Sequence, residues 1–310
     1  MISRRNIRVK VMQTLYALEA QESAARPGEP VAILQKHFDQ TRQLLIYLIY
    51  CLTEIARYAE TDSRVRASKH LPSEQDLNVN TKLAGNEYLW KILEDASWQK
   101  AVKADKPQLQ ESKEVIRRLY IELAATEEYK KYVSVAGRDR RSEREMLEFI
   151  FSSLMLPNES FGSHVEELFT NWDDDGEMMS QIISGYLSKP QSSVHFNFQE
   201  IVSADKWDFG KILLQTVIDK KEILLDLIRP KLKNWDADRI ATLDMILMQM
   251  GVAEFLYFET IPPKVTINEY IDLAKEYSTP QSGQFVNGIL DNIHKELVKD
   301  DKMHKINFKA

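Results

Sequence analysis

The sequence predicts an all-α fold, and three observations carry that reading. Apolar residues recur at steps of three and four through the best-patterned segments. Glycine and proline number only ten each in 310 residues, too few breakers for many short strands. No segment of comparable quality reads as a strand.

Residues 3–21 read as one helix: Ile7, Val11, Leu15 and Leu18 form one buried face, and Ser3 is a candidate N-cap. Arg26-Pro27-Gly28-Glu29-Pro30 reads as a turn. Residues 31–60 read as a long helix with Leu34, Phe38, Leu45, Ile49, Leu52 and Ile55 inward, apolar nearly all round over residues 44–52 and therefore buried there. Between 61 and 200 short helices, at about 87–104, 108–135, 142–155 and 177–188, alternate with polar breaks, Lys189-Pro190-Gln191 the last. Residues 207–228 read as one helix stopped by Pro230, with Ile212, Leu213, Val217, Leu224, Leu225 and Ile228 as core. Residues 238–258 follow, with Ile240, Leu243, Leu247, Met250 and Phe255 inward. Thr266-Ile267-Asn268-Glu269 reads as a capping box with Val265 and Tyr270 at the staple positions. Ser278-Thr279-Pro280 ends that helix, and a last one begins near 283 with Phe285, Ile289, Ile293 and Leu297 inward.

Composition narrows the function classes. An apolar fraction of 44% suffices for a folded core. The single cysteine, Cys51, permits no internal disulfide and no multi-cysteine zinc site, which fits a reducing cytoplasm. It sits in the most apolar run and reads as an inert core thiol. No secretory leader is read at the amino terminus, and the longest apolar run is far short of the about 20 residues that span a membrane. The six histidines show no metal spacing, and no phosphate-binding glycine loop or dinucleotide fingerprint is present. No catalytic residue, metal or cofactor is expected, and the chain reads as a non-enzyme.

Residues 171–182 resemble a calcium loop in Asn171, Asp173, Asp175 and Gly176, but Ile182 stands where the bidentate glutamate belongs. An acidic helix start is the better reading. Asn171-Trp172-Asp173-Asp174-Asp175 is echoed by Asn234-Trp235-Asp236-Ala237-Asp238, through duplication or shared helix-start chemistry. The run Arg138-Asp139-Arg140-Arg141-Ser142-Glu143-Arg144 reads as a solvated helix face, with an extension of a nucleic-acid surface as the rival.

The strongest chemical signal is at the start. Net charge is −6, yet residues 1–10 hold Arg4, Arg5, Arg8 and Lys10 and no acid. Cations at a helix N-terminus oppose the macrodipole, so folding alone favours acids there. A bound phosphate relieves that repulsion; a merely solvated terminus is the alternative. Tyr16, on the side of the helix shared with Arg5 and Met12, offers a surface for stacking a base or for packing a neighbouring helix.

These residues resemble those of the NusB family. Arg4-Arg5-Asn6-Ile7-Arg8 with Gln13-Thr14-Leu15-Tyr16 is similar to the family's arginine-rich opening. Residues 261–269 (IPPKVTINE), 271–275 (IDLAK) and 285–291 (FVNGILD) are similar to three family motifs in order and spacing. The resemblance covers residues 1–21 and about 205–310. It implies NusB-like packed helical bundles, here with an expanded helical insertion, divided as residues 1–60 (N-terminal helices), 61–200 (insertion of unassigned role) and 201–310 (C-terminal bundle).

The resemblance also implies a role in transcription antitermination. Its expected partners are boxA-type single-stranded ribosomal RNA, the ribosomal protein NusE and the RNA polymerase antitermination complex, with no membrane. By position, Arg4, Arg5, Arg8, Lys10, Tyr16, Ser282, Gln284 and Phe285 are the expected RNA-binding residues, and Asp244 the NusE-facing acid. Phe285 has an equal reading as a core anchor. Three departures make the RNA surface less basic than the family's: Asn6 and Gln249 stand for arginines and Gln284 for a lysine. A helical protein-interaction scaffold with reduced RNA binding is therefore the alternative function. RNA methyltransferases that carry a NusB-like domain are the enzymatic rival, but no cofactor-binding α/β region is visible.

Overall fold

A computed structural model describes residues 2–21, 26–188, 196–232 and 240–306. No β-strand occurs among them. Helices α1 (Arg4–Glu19), α2 (Glu29–Ala67), α3 (Glu74–Leu77), α4 (Glu87–Glu94) and α5 (Ala96–Asp105) come first in the chain. Then follow α6 (Lys113–Ala125), α7 (Glu127–Ser134), α8 (Arg140–Phe149), α9 (Glu159–Leu168) and α10 (Trp172–Ser188). The last five are α11 (Ala204–Asp219), α12 (Lys221–Ile228), α13 (Thr242–Tyr257), α14 (Pro263–Tyr277) and α15 (Ser282–Lys299). The chain forms two compact units. A middle unit holds Asp39–Ile201; a terminal unit combines Ile2–Phe38 with Val202–Ala310. The boundaries drawn from sequence lie at 60/61 and 200/201. Helix α2 contributes residues to both units, and a helical period does not mark where one core ends and another begins.

In the middle unit, residues 44–52 of α2 are buried apart from part of Tyr50, as a helix apolar on every side requires. Burial pushes the Cys51 thiol up to about 12, so it stays protonated. Two predicted helices are each broken once. Asp95 accepts hydrogen bonds from the backbone of Ser97 and Trp98 and starts α5, and Thr126 accepts from Tyr129 and starts α7. An N-cap residue occupies a surface position, so the apolar period continues across the break and hides it. Helix α9, capped by Asn158, was not anticipated. Helix α8 continues through a π-helical turn, Ile150–Met155.

The mixed-charge run is not simply a solvated face. Asp139 caps α8 by accepting from the Ser142 backbone, but Glu143 is fully buried. Its carboxylate accepts from Tyr132 Oη at 2.9 Å, Arg138 Nη1 at 3.0 Å and the Glu87 backbone N–H at 2.7 Å. The calcium-like segment belongs to the start of α10. There Asp175 accepts from Asn171 and Thr41, both at 2.7 Å, in a buried cluster.

In the terminal unit α1 packs on α11 and α13, and α13, α14 and α15 pack on one another. Gly28 takes φ +84° in the turn before α2, a conformation that favours glycine. The predicted helix 207–228 is two helices that meet at Lys220, and Ile212, expected in the core, is 50% exposed. Leu18, Ile240, Leu243 and Phe285 are only part-buried. The capping box at Thr266 does not form. Helix α14 begins earlier, with Pro263 at its first position, where a missing N–H costs nothing. Thr266 lies within it, buried, donating to Glu254, and Val265 stays exposed. The predicted break at 189–191 and the echo at 234–238 lie outside the described residues.

Gly251 of α13 faces α15 with no room for a side chain. A methyl group there would stand 2.9 and 3.0 Å from the two δ carbons of Leu290 and 3.4 Å from Tyr270. Both neighbours are fully buried and have little room to yield. Gly251→Ala is therefore expected to destabilise the terminal unit by about 1–3 kcal/mol, read as a lower urea midpoint. An unchanged midpoint would show that Leu290 has a second rotamer with space.

Candidate nucleic-acid interface

The first turn of α1 is fastened rather than loose. Ser3 and Asn6 cap each other: the Asn6 backbone donates to Ser3 Oγ at 3.3 Å and the Ser3 backbone to Asn6 Oδ1 at 3.2 Å. Asn6, which stands where the family is expected to carry arginine, thus closes the helix start. Ile2 is buried, and Lys206 donates to its carbonyl at 2.6 Å.

That turn sorts the predicted cations into two classes. Arg4 is exposed, with its guanidinium 5.5 Å from the centre of the Phe209 ring. Arg5 is 37% exposed and reaches α14: Nη2 donates to Glu276 Oε2 at 2.8 Å, while Nη1 lies 3.7 Å from Asp272 and 4.0 Å from Glu269. Arg8, by contrast, is 2% exposed. Its Nε and Nη2 donate to the two oxygens of Glu254 at 2.7 and 3.1 Å, and its guanidinium lies 5.4 Å from the Phe209 ring. Lys10 is equally enclosed. Neither Arg8 nor Lys10 stands at the protein surface.

Glu254 is the residue that sequence reasoning missed. Fully buried, it accepts from Arg8 at both oxygens and also from Thr266 Oγ1 at 2.9 Å and Tyr270 Oη at 2.8 Å. Burial by itself lowers the Arg8 pKa, but the hydrogen bond and charge of Glu254, with Tyr270 and Glu269, hold it above the usual arginine value. The signal was present: Glu254 is the one charged residue in 245–258, and a lone acid in an apolar helix needs a buried partner. Just beyond it, Lys305 donates to the carbonyls of Glu254 and Phe258, both at 2.7 Å, and satisfies the end of α13.

Ser282 and Asp244, predicted for different roles, meet. Ser282 is buried at the start of α15 and donates to Asp244 Oδ2 at 2.7 Å, while accepting from the Thr279 backbone at 3.2 Å. Asp244 is 5% exposed. Gln284 is exposed and Phe285 half-buried on the first turn of α15. The Lys275 side chain lies against Gly283, so α14 links Arg5, at Glu276, to the start of α15. Tyr16 is 51% exposed, but stands about 16 Å along α1 from Arg5. It extends the surface rather than joining the cluster.

Residues 176–295 match the NusB family. The chain is 40% identical over 102 residues to the transcription antitermination protein NusB of Methylacidiphilum infernorum, an alignment that covers 30% of this chain and 71% of the relative. The chain belongs to the NusB family. The NusB of Finegoldia magna is 38% identical over 113 residues, 36% of this chain and 82% of the relative. A solved structure of T. maritima NusB matches 44% of this chain and 89% of its own at 28% identity, with a TM-score of 0.31.

The NusB match runs from within α10 to within α15, so Asp244, Glu254, Ser282, Gln284 and Phe285 fall inside it. The arginines of α1 fall outside it and join these residues through packing on α11 and α13. Family membership places the chain in transcription antitermination. Among the described residues no group of His, Cys, Asp and Glu is arranged to hold a metal, and no helix is long and apolar enough to cross a membrane.

Proposed function

We propose that this chain is an RNA-binding antitermination factor, a non-enzyme that takes boxA-type single-stranded RNA together with NusE in the antitermination complex, in the cytoplasm. The observation that carries this reading is the fastened first turn of α1. It holds Arg4 near Phe209 and Arg5 against α14, whose Lys275 side chain lies against Gly283 at the start of α15. Arg4 and Arg5 meet phosphates, and the exposed guanidinium of Arg4, 5.5 Å from the Phe209 ring centre, also offers a plane for a base. Phe285, Gln284 and Tyr16 continue the surface. Arg8 serves it from below, by anchoring α1 to Glu254, and Lys10 shares that enclosed layer. Ser282 and Asp244, both buried, order the turn into α15 and so shape the surface offered to RNA and NusE from beneath.

The test is fluorescence anisotropy with a boxA-like RNA and a scrambled RNA of equal length, each with and without NusE, over a range of salt. Two exposed arginines give a log–log salt slope near −1.4, at about 0.7 per phosphate on a single strand. All four cations would give about −3. Each of Arg4→Ala and Arg5→Ala is expected to weaken boxA binding on the order of tenfold, as loss of a charge-assisted contact implies. Equal weak binding to both RNAs, indifferent to NusE, would remove this reading. Retained NusE binding without RNA binding would favour the protein-interaction scaffold, a reading that draws on the enclosure of Arg8 and Lys10.

A further inference from the structure

We propose that the acidic face of α14 is a built-in competitor for RNA phosphate, holding Arg5 in the unbound protein and setting how tightly and how salt-sensitively RNA is taken. The proposal rests on the RNA-binding reading of Arg5. Glu269, Asp272 and Glu276 are spaced by three and four, which puts them on one side of α14. That side faces Arg5. Its Nη2 already donates to Glu276 at 2.8 Å, and Nη1 has Asp272 and Glu269 within 4.0 Å. Asp272 and Glu276 are about half exposed, so they turn to solvent once released and do not block a ligand sterically.

A phosphate that binds Arg5 must displace Glu276, because both want the same fork of N–H groups. It must also sit within a Debye length, about 8–10 Å, of three carboxylates. An exposed ion pair is worth at most about a fivefold shift in equilibrium, so the stripe tunes binding without abolishing it. It also flattens the salt dependence, since the carboxylates freed by RNA gather counterions while the RNA sheds them. The consequence is selection: a weak, purely electrostatic encounter does not repay the displacement, whereas an RNA that also makes base contacts does.

The experiment compares four full-length proteins on boxA-like RNA and, separately, on inorganic polyphosphate. They are the wild type, Asp272→Asn/Glu276→Gln, the charge-matched control Glu222→Gln/Asp226→Asn on α12, and the first pair combined with Arg5→Ala. Glu222 and Asp226 pair with Arg229 and not with Arg5. The α14 pair is expected to bind both anions about three- to fivefold more tightly than wild type, with a steeper salt slope. The control is expected to gain less than about twofold, and Arg5→Ala should reduce the gain to the control's level. An α14 gain no larger than the control's, or one that survives Arg5→Ala, overturns the proposal. If wild type binds no RNA but the α14 pair binds polyphosphate through Arg5, the competitor stands and the RNA reading falls. If no variant binds either anion, both fall. Thermal unfolding of each variant verifies that all four are folded.

Discussion

Glu254→Ala is expected to destabilise the terminal unit by about 3–5 kcal/mol, the cost of leaving the buried Arg8 charge without its hydrogen-bonded partner and with only Glu269, 3.5 Å from Nη1, beside it. Arg8 is 2% exposed, so it cannot turn to water without lifting α1. Thr266 and Tyr270 lose their acceptor in the same change. Amide hydrogen exchange resolves the effect by segment: α1, α13 and α14 should lose protection together while the middle unit keeps its own. A loss below about 1 kcal/mol would mean that Arg8 reaches solvent after all, since that is the range of an exposed pair. Replacing both partners, Arg8→Met with Glu254→Leu, should recover most of the stability, because a buried pair exchanged for apolar residues is often neutral. RNA binding is expected to suffer in the single Glu254 variant through loosening of α1, although Glu254 touches no RNA in the proposed arrangement.

Glu143→Ala is the corresponding change in the middle unit, with an expected loss of about 2–3 kcal/mol. The difference in size follows from exposure. Arg138, the cation on Glu143, is 37% exposed and can swing into water, so no buried charge is stranded. What remains is the backbone N–H of Glu87 and the hydroxyl of Tyr132, each left without its acceptor, and an unsatisfied buried polar group costs about 1–3 kcal/mol. Protection should fall in α4, α7 and α8 alone. A loss equal to that of Glu254→Ala would show that Arg138 does not reach solvent and that the comparison by exposure is wrong.

The two glutamates also show how far a sequence carries. Charge runs read as solvated faces, which is sound for Arg141, paired with Glu145 one turn away on α8. Glu143 lies in the same run and turns inward, because the partners that make its burial tolerable come from residues 87, 132 and 138. The same limit applies at the amino terminus. Four cations in ten residues are plain in the sequence, but which of them face solvent depends on Glu254, some 246 residues away from Arg8.

The sequence by itself determined the all-α class and most of the helix existence. A helix shows one face to a core, and that leaves a period of 3.6 along the chain. It also determined the family, through motifs at 261–291 whose spacing is set locally. Only the tertiary structure decided the rest. It broke the predicted helices at Asp95, Thr126 and Lys220, where surface positions interrupt a helix without interrupting its apolar period. It started α14 at Pro263 and turned Thr266 toward Glu254. It divided the arginines of α1 into a buried anchor, a part-buried group paired to α14 and one exposed group. Burial and ion pairing are relations between residues far apart in the chain, and no local pattern records them.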